Sequence, residues 1–175
     1  AVVGALYASG STGFELQKMA FKLEESKISD WSMPDRGVFK GEALQQFVNN
    51  AVAQRSIESL KKPLGVTATD LHSGEGVLFR TGNTGMAVRA SATVPGVFQP
   101  VSINSHEYVD GGLSSLVPVR GARQMGATVV IAVDISARPD RRTVRGTLDI
   151  LLQTFTIMGQ NLARHELEEA DVVIR

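Results

Sequence analysis

The chain is expected to fold as an α/β protein, a three-layer α/β/α arrangement with a mainly parallel central sheet. Two observations carry that expectation. Thr128-Val129-Val130-Ile131-Ala132-Val133-Asp134 is an unbroken, β-branched apolar run, and helical patterns flank it on both sides, as in sheets covered on both faces. Pro63 to Asp70 has the apolar density of a buried strand, and Gly76 to Arg80 that of its neighbour.

The remaining elements follow in order. Ala1 to Ala8 reads as an apolar helix that stops at Ser9-Gly10-Ser11-Thr12-Gly13, where Gly10 terminates it and Thr12 caps the next. Phe14 to about Lys27 is a second helix, with Leu16, Met19, Ala20 and Leu23 on one face. Residues 28–41 are too broken for a regular element; they form either an apolar lid or a connector that tucks Trp31 and Phe39 into the core. Glu42 to Val52 is helical, with Leu44, Phe47 and Val48 inward. His72 to Gly76 is the hairpin turn between the two strands just named. Met86 to Val94 is a short helix ended by Pro95, and Val117 to Met125 another, closed by Gly126. A long helix from Thr147 to about Glu169 puts Leu148, Leu151, Leu152, Phe155, Met158 and Leu162 on one packing stripe, before a strand from Asp171 to Arg175.

A length of 175 residues suits a single domain over 1–175. Basic and acidic residues balance at 18 each, so no global charge favours nucleic acid. Cysteine is absent, and His72, His106 and His165 show no ligand spacing, so a metal site is not expected. Arg138, Arg141, Arg142 and Arg145 read as a solvated loop in preference to a phospholipid headgroup patch. No apolar run approaches the roughly 20 residues of a bilayer span, and no leader pattern opens the chain. A soluble protein is expected, cytoplasmic or peripheral to a membrane. Both ends look cut, the first helix lacking a cap and the last strand a following turn, so the domain is expected to be incomplete at its N-terminus and at its C-terminus.

Chemistry concentrates in Glu107-Tyr108-Val109-Asp110-Gly111-Gly112-Leu113. Asp110 ends a short apolar alternation, and the two glycines after it allow a sharp turn and the close approach of another group. A strand ending in a plain Asp-Gly turn is the bland alternative. His106 precedes Asp110 on the same segment, but Asn104-Ser105-His106-Glu107 looks like an exposed turn and His106 like a surface residue. Gly74-Glu75-Gly76-Val77-Leu78-Phe79 has only the first two glycines of a dinucleotide fingerprint, and no helix follows it.

Several segments together resemble the patatin-like phospholipase family of serine acyl hydrolases, its bacterial members especially. They are Gly4-Ala5-Leu6-Tyr7-Ala8-Ser9-Gly10, Ala68-Thr69-Asp70-Leu71, Ala87 to Ser91 leading to Pro95-Gly96-Val97-Phe98-Gln99-Pro100, Tyr108-Val109-Asp110-Gly111-Gly112, and Pro118-Val119 with Met125-Gly126-Ala127. The resemblance implies a patatin-like fold and a lipid acyl hydrolase working through a Ser-Asp dyad. In it Asp110 is the general base, Gly111 and Gly112 complete the motif, and Tyr108 and Val109 line the site. No metal or organic cofactor is implied. The implied partner is a phospholipid or other acyl ester, with peripheral membrane contact; Trp31, Met33 and Phe39 would seat acyl chains or touch a membrane.

One departure qualifies the match. The family's nucleophile sits in Gly-x-Ser-x-Gly, whereas the sole glycine pair at that spacing, Gly37 and Gly41, encloses Phe39. The serine is therefore expected upstream of Ala1, and the 175 residues alone are expected to be inactive. Ser9, Ser11, Ser73 and Ser91 are read as helix-end or turn hydroxyls, not replacements. The alternative function is a non-catalytic binding module of the same fold, a pseudoenzyme.

Overall fold

The computed structural model describes residues 1–22, 30, 36–136 and 146–175. Six helices and six strands occur among them: α1 (Val2–Ser9), α2 (Gly13–Lys22), α3 (Glu42–Ala51), β1 (Val66–Asp70), β2 (Gly76–Phe79), α4 (Thr84–Ser91), β3 (Val101–Ile103), β4 (His106–Asp110), α5 (Val119–Gln124), β5 (Ile131–Val133), α6 (Thr147–Glu168) and β6 (Val172–Ile174). The local signals act as expected. Gly10 ends α1 in the left-handed region at φ 117°, which glycine enters without a Cβ penalty. Thr12 and Glu15 form a reciprocal capping box on α2, the Thr12 amide donating to Glu15 Oε2 at 2.7 Å and the Glu15 amide to Thr12 Oγ1 at 3.3 Å. The Asp30 carboxylate reaches across to α3 and accepts from the amides of Gly41, Glu42 and Ala43 at 2.7, 2.7 and 3.1 Å.

The expectation of a mainly parallel sheet is not borne out among the described residues. The larger sheet has four strands in the order β2-β1-β4-β3, and every neighbouring pair in it is antiparallel. Tight connections dictate the two outer pairs, because a short turn can only return the chain alongside itself, whereas β1 and β4 meet antiparallel through a long connection that includes β2, α4 and β3. β1 and β2 are joined by the hairpin turn the sequence announces. β3 and β4 are joined by Asn104 and Ser105, both at positive φ (50° and 65°). β4 thus starts at His106, a residue expected to lie in the turn. The parallel pair among the described residues is β5 with β6, linked through α6 as a crossover. One such unit misled the reading of the whole sheet.

Burial along β5 also differs from expectation. Ala132 is buried, whereas Ile131 and Val133 are 59% and 56% exposed. In a two-stranded sheet α5 and α6 cover one face, gathering Val119, Val130, Ala132, Ala163 and Leu167 into a cluster, and alternate residues point away from it. On α6 the packing face runs through Leu152, Gly159, Ala163 and Leu167. Leu151, Met158 and Leu162 of the expected stripe are exposed instead, and the Leu148 side chain lies outside the described residues. The stripe was read about one position out of phase.

The main core joins α1, α3, α4 and β1 through Ala5, Leu6, Val48, Val52, Ile57, Val66, Ala87 and Val88, with Leu16, Met19, Leu44 and Phe47 against its edge. A full burial of each such Val, Leu or Ile contributes about 1.5–3 kcal/mol, enough to fix the start of α1 relative to the sheet. A second cluster, Ala68, Ala90, Val101 and Tyr108, clamps α4 onto β1, β3 and β4. No helix of the described residues is long and apolar enough to cross a membrane. The rest of the second expected helix, Trp31, Met33 and the four clustered arginines lie outside the described residues.

Candidate active site

Asp110 closes β4, an inner strand, opposite Ala68 of β1. Its main chain is held on both sides: the amide donates to the Thr93 carbonyl at 2.9 Å, and the carbonyl accepts from Thr69 Oγ1 at 2.8 Å. The chain then turns through a 3₁₀ turn, Gly111–Leu113, whose first free amide, Gly112 N–H, donates to Asp110 Oδ1 at 2.7 Å. Glycine is required here for space. A Cβ at residue 111 would lie 2.4 Å from the Thr67 carbonyl oxygen, and one at residue 112 would lie 2.8 Å from Leu116 Cδ1 and 3.1 Å from Asp110 Oδ1.

The carboxylate stands in the wall of two adjoining cavities. One, of about 260 Å³, is bounded by Val94, Leu113, Leu116 and, from α6, Leu152, Phe155 and Gly159. The other, of about 310 Å³, is bounded by Ala1 and Gly4 of the α1 end together with Thr67, Ser91 and Ser115. Burial raises the Asp110 pKa above its ordinary value, opposed by the Gly112 hydrogen bond.

Other expected residues fall elsewhere. Tyr108 and Val109 line neither cavity; both are buried in the core, where Tyr108 meets the Phe79 ring edge to face at 5.0 Å between centroids. Phe39 also lies outside both walls, tilted against Phe98 at 5.5 Å, with which it forms an isolated parallel bridge. His106 is 64% exposed and turns away to Asp70, its Nδ1 2.9 Å from Oδ2. Ser9 donates to the Leu6 carbonyl at 2.7 Å and Ser73 to Asp70 Oδ1 at 3.1 Å, as helix-end and turn hydroxyls do. Ser91 ends α4 and shares the second cavity's wall with Asp110. No group of three His, Cys, Asp or Glu able to hold a metal occurs among the described residues.

Three supporting residues escaped the sequence reading. Thr69 and Thr93 are buried and fix the Asp110 backbone. Glu166, 8% exposed in the last turn of α6, accepts from Ser115 Oγ and, at 2.9 Å, from the Val117 amide, tying the segment after Asp110 to that helix. A lone acid on a helix gives no sign of burial, and buried strand threonines resemble any β-branched residue.

A half-buried acid at a glycine-lined strand end, between an apolar cavity and a helix start, defines an α/β protein with a candidate acid-base site. The particular family follows from comparison. The model of the patatin-like phospholipase family matches residues 1–123, and the chain belongs to that family. An uncharacterized NTE family protein of Mycobacterium tuberculosis is 31% identical over 139 residues, covering 78% of this chain and 38% of the relative. Its counterpart in Mycobacterium bovis matches to the same extent, 31% over 139 residues. Human patatin-like phospholipase domain-containing protein 6 is 28% identical over 146 residues, covering 79% of this chain and 11% of the relative. The chain thus spans well under half the length of these relatives.

Proposed function

We propose that the protein to which this chain belongs hydrolyses carboxylic ester bonds of acylated lipids, with Asp110 as general base and, as nucleophile, a serine supplied by residues preceding Ala1. The observation that carries this reading is the desolvated Asp110 carboxylate in the wall of a cavity it shares with the start of α1. An ordinary aspartate, with pKa near ~3.9, is a weak base toward a hydroxyl, and burial makes it a stronger one. In the first step the serine oxygen bonds to the ester carbonyl carbon while Asp110 takes its proton. The alkoxy group then leaves with that proton, forming an acyl-enzyme and freeing the carboxylate. Water repeats the sequence on the acyl-enzyme and releases the fatty acid. No cofactor enters the scheme, and substrate in a membrane would be met peripherally. By itself the chain carries the base without the motif serine and is inactive.

The test uses the full-length protein on a short-chain ester. Asp110→Asn should lower turnover by about 10²- to 10⁴-fold, the worth of a positioned base. Wild-type turnover in that variant refutes the reading. A Gly-x-Ser-x-Gly among the residues before Ala1 supports it, whereas a replaced serine favours the non-catalytic binding module.

A further inference from the structure

The cavity of about 260 Å³ beside Asp110 has walls from two distant parts of the chain: Val94, Leu113 and Leu116 around the acid, and Leu152, Phe155 and Gly159 on α6. Hydroxyls in its lining are already engaged. Thr156 Oγ1 donates to the Leu152 carbonyl at 2.9 Å, and Ser136 Oγ to Asp134 Oδ1 at 2.5 Å. Besides Gln160 at one edge, what the cavity presents is mainly apolar surface with Asp110 in its wall, which is the chemistry of an acyl chain whose ester lies at Asp110. Its volume falls below the roughly 300–1,000 Å³ of sites for drug-sized ligands, which suits one chain and not two.

Gly159 stands inside a 22-residue helix, where glycine is the least favourable residue apart from proline. A Cβ built on it meets a single neighbour within 4 Å, Leu116 Cδ2 at 3.3 Å, and Leu116 is part of the cavity wall. A side chain at 159 would therefore take space from the cavity. We infer that this cavity binds one acyl chain of the substrate and that Gly159 on α6 determines how long a chain it admits. The inference rests on the hydrolase reading above and assigns its specificity to α6, where the sequence had pointed to Trp31, Met33 and Phe39.

The experiment measures kcat/KM of the full-length protein for p-nitrophenyl butyrate, octanoate and palmitate, in wild type, Gly159→Ala, Gly159→Val and Leu116→Ala. One methylene in an apolar pocket is worth about 10- to 200-fold in discrimination. The octanoate-to-butyrate ratio should therefore fall at least about tenfold in Gly159→Val and by less in Gly159→Ala. In Leu116→Ala, which enlarges the same wall, it should shift toward the longer esters. Should the valine variant fail to fold, the other two carry the test from opposite directions. Equal decline on all three esters, or an unchanged ratio in active variants, overturns the inference and leaves the hydrolase reading intact. Absence of ester turnover in the wild type, or wild-type turnover in Asp110→Asn, overturns that reading and this inference with it.

Discussion

The Gly112 amide and the Asp110 carboxylate are locked together over 2.7 Å, and a methyl group on residue 112 would sit 3.1 Å from the same carboxylate oxygen. The neighbouring glycine is constrained differently, by the Thr67 backbone at 2.4 Å. The two positions should therefore separate activity from stability. Gly112→Ala meets a flexible leucine tip and the acid itself. It should reduce kcat/KM of the full-length protein about 10- to 100-fold, the scale of a misplaced catalytic group, while the thermal midpoint moves by only a few degrees. Gly111→Ala must push β1 from β4, costing about 1–3 kcal/mol or more, at roughly 2–4 °C per kcal/mol. Thermal melts beside ester assays distinguish the two; a reversed pattern would mean that the motif glycines serve the carboxylate in the opposite order.

The pH dependence of turnover should report Asp110 directly. Its pKa is raised by burial, so the carboxylate form that accepts a proton becomes available only above the ordinary aspartate range. The acid limb of kcat/KM should accordingly lie above pH ~4, rising with pH through the elevated value. The same shift has an opposite sign for folding. A carboxyl with raised native pKa favours the fold at low pH, and that contribution is lost as pH rises through the native value. Asp110→Asn should thus be at least as stable as wild type at neutral pH while losing turnover. A variant that is both inactive and strongly destabilised would make Asp110 a structural residue.

Much of this geometry was legible in the chain. Capping residues, the turns, the extent of α3 and the exposure of His106 all follow from interactions within a few residues, which sequence displays directly. Asp110 with Gly111 and Gly112 was found because a turn, an acid and a lack of bulk coincide. The His72 to Gly76 hairpin was legible, but the direction of the sheet as a whole was not: Thr128 to Asp134 looks the same whether its partner runs parallel or antiparallel, and the second hairpin turn, at Asn104-Ser105, was taken as an exposed turn with no strand assigned on either side. The wall of the acyl cavity on α6 lies some forty residues from Asp110, and no local pattern joins them.

Glu166 makes a stability prediction that the sequence would not suggest. Its buried carboxylate accepts from the Ser115 hydroxyl and the Val117 amide, so it holds the segment following Asp110 against α6. Glu166→Ala leaves both donors without their acceptor. Each unsatisfied group costs about 1–3 kcal/mol, and with two of them the thermal midpoint should fall by roughly 4–24 °C at about 2–4 °C per kcal/mol. Glu166→Gln keeps one acceptor oxygen and should lose about half as much. Equal midpoints for wild type and Glu166→Ala would show that this tie carries no load.

Asp70 anchors the turn that returns β1 to β2, and so supports the strand against which Asp110 is aligned. Its Oδ1 accepts from the amides of His72 and Ser73 at 3.0 and 2.9 Å and from Ser73 Oγ at 3.1 Å, while Oδ2 faces His106 Nδ1 at 2.9 Å. The Ser73 amide, first, and then His106 hold its pKa well below the ordinary carboxylate range. A depressed pKa stabilises the fold above the unfolded value, near ~3.9, and that stability is lost as pH falls through the native value. Wild type should therefore weaken on acidification below pH ~4, and Asp70→Asn should show a lower midpoint at pH 7 with a flatter acid limb. His106→Ala should do far less, because His106 is largely exposed and the turn amides remain bonded. Melting all three proteins between pH 2.5 and 7 decides the matter: if His106→Ala proves the more damaging, the histidine pair and not the backbone turn holds this end of β1.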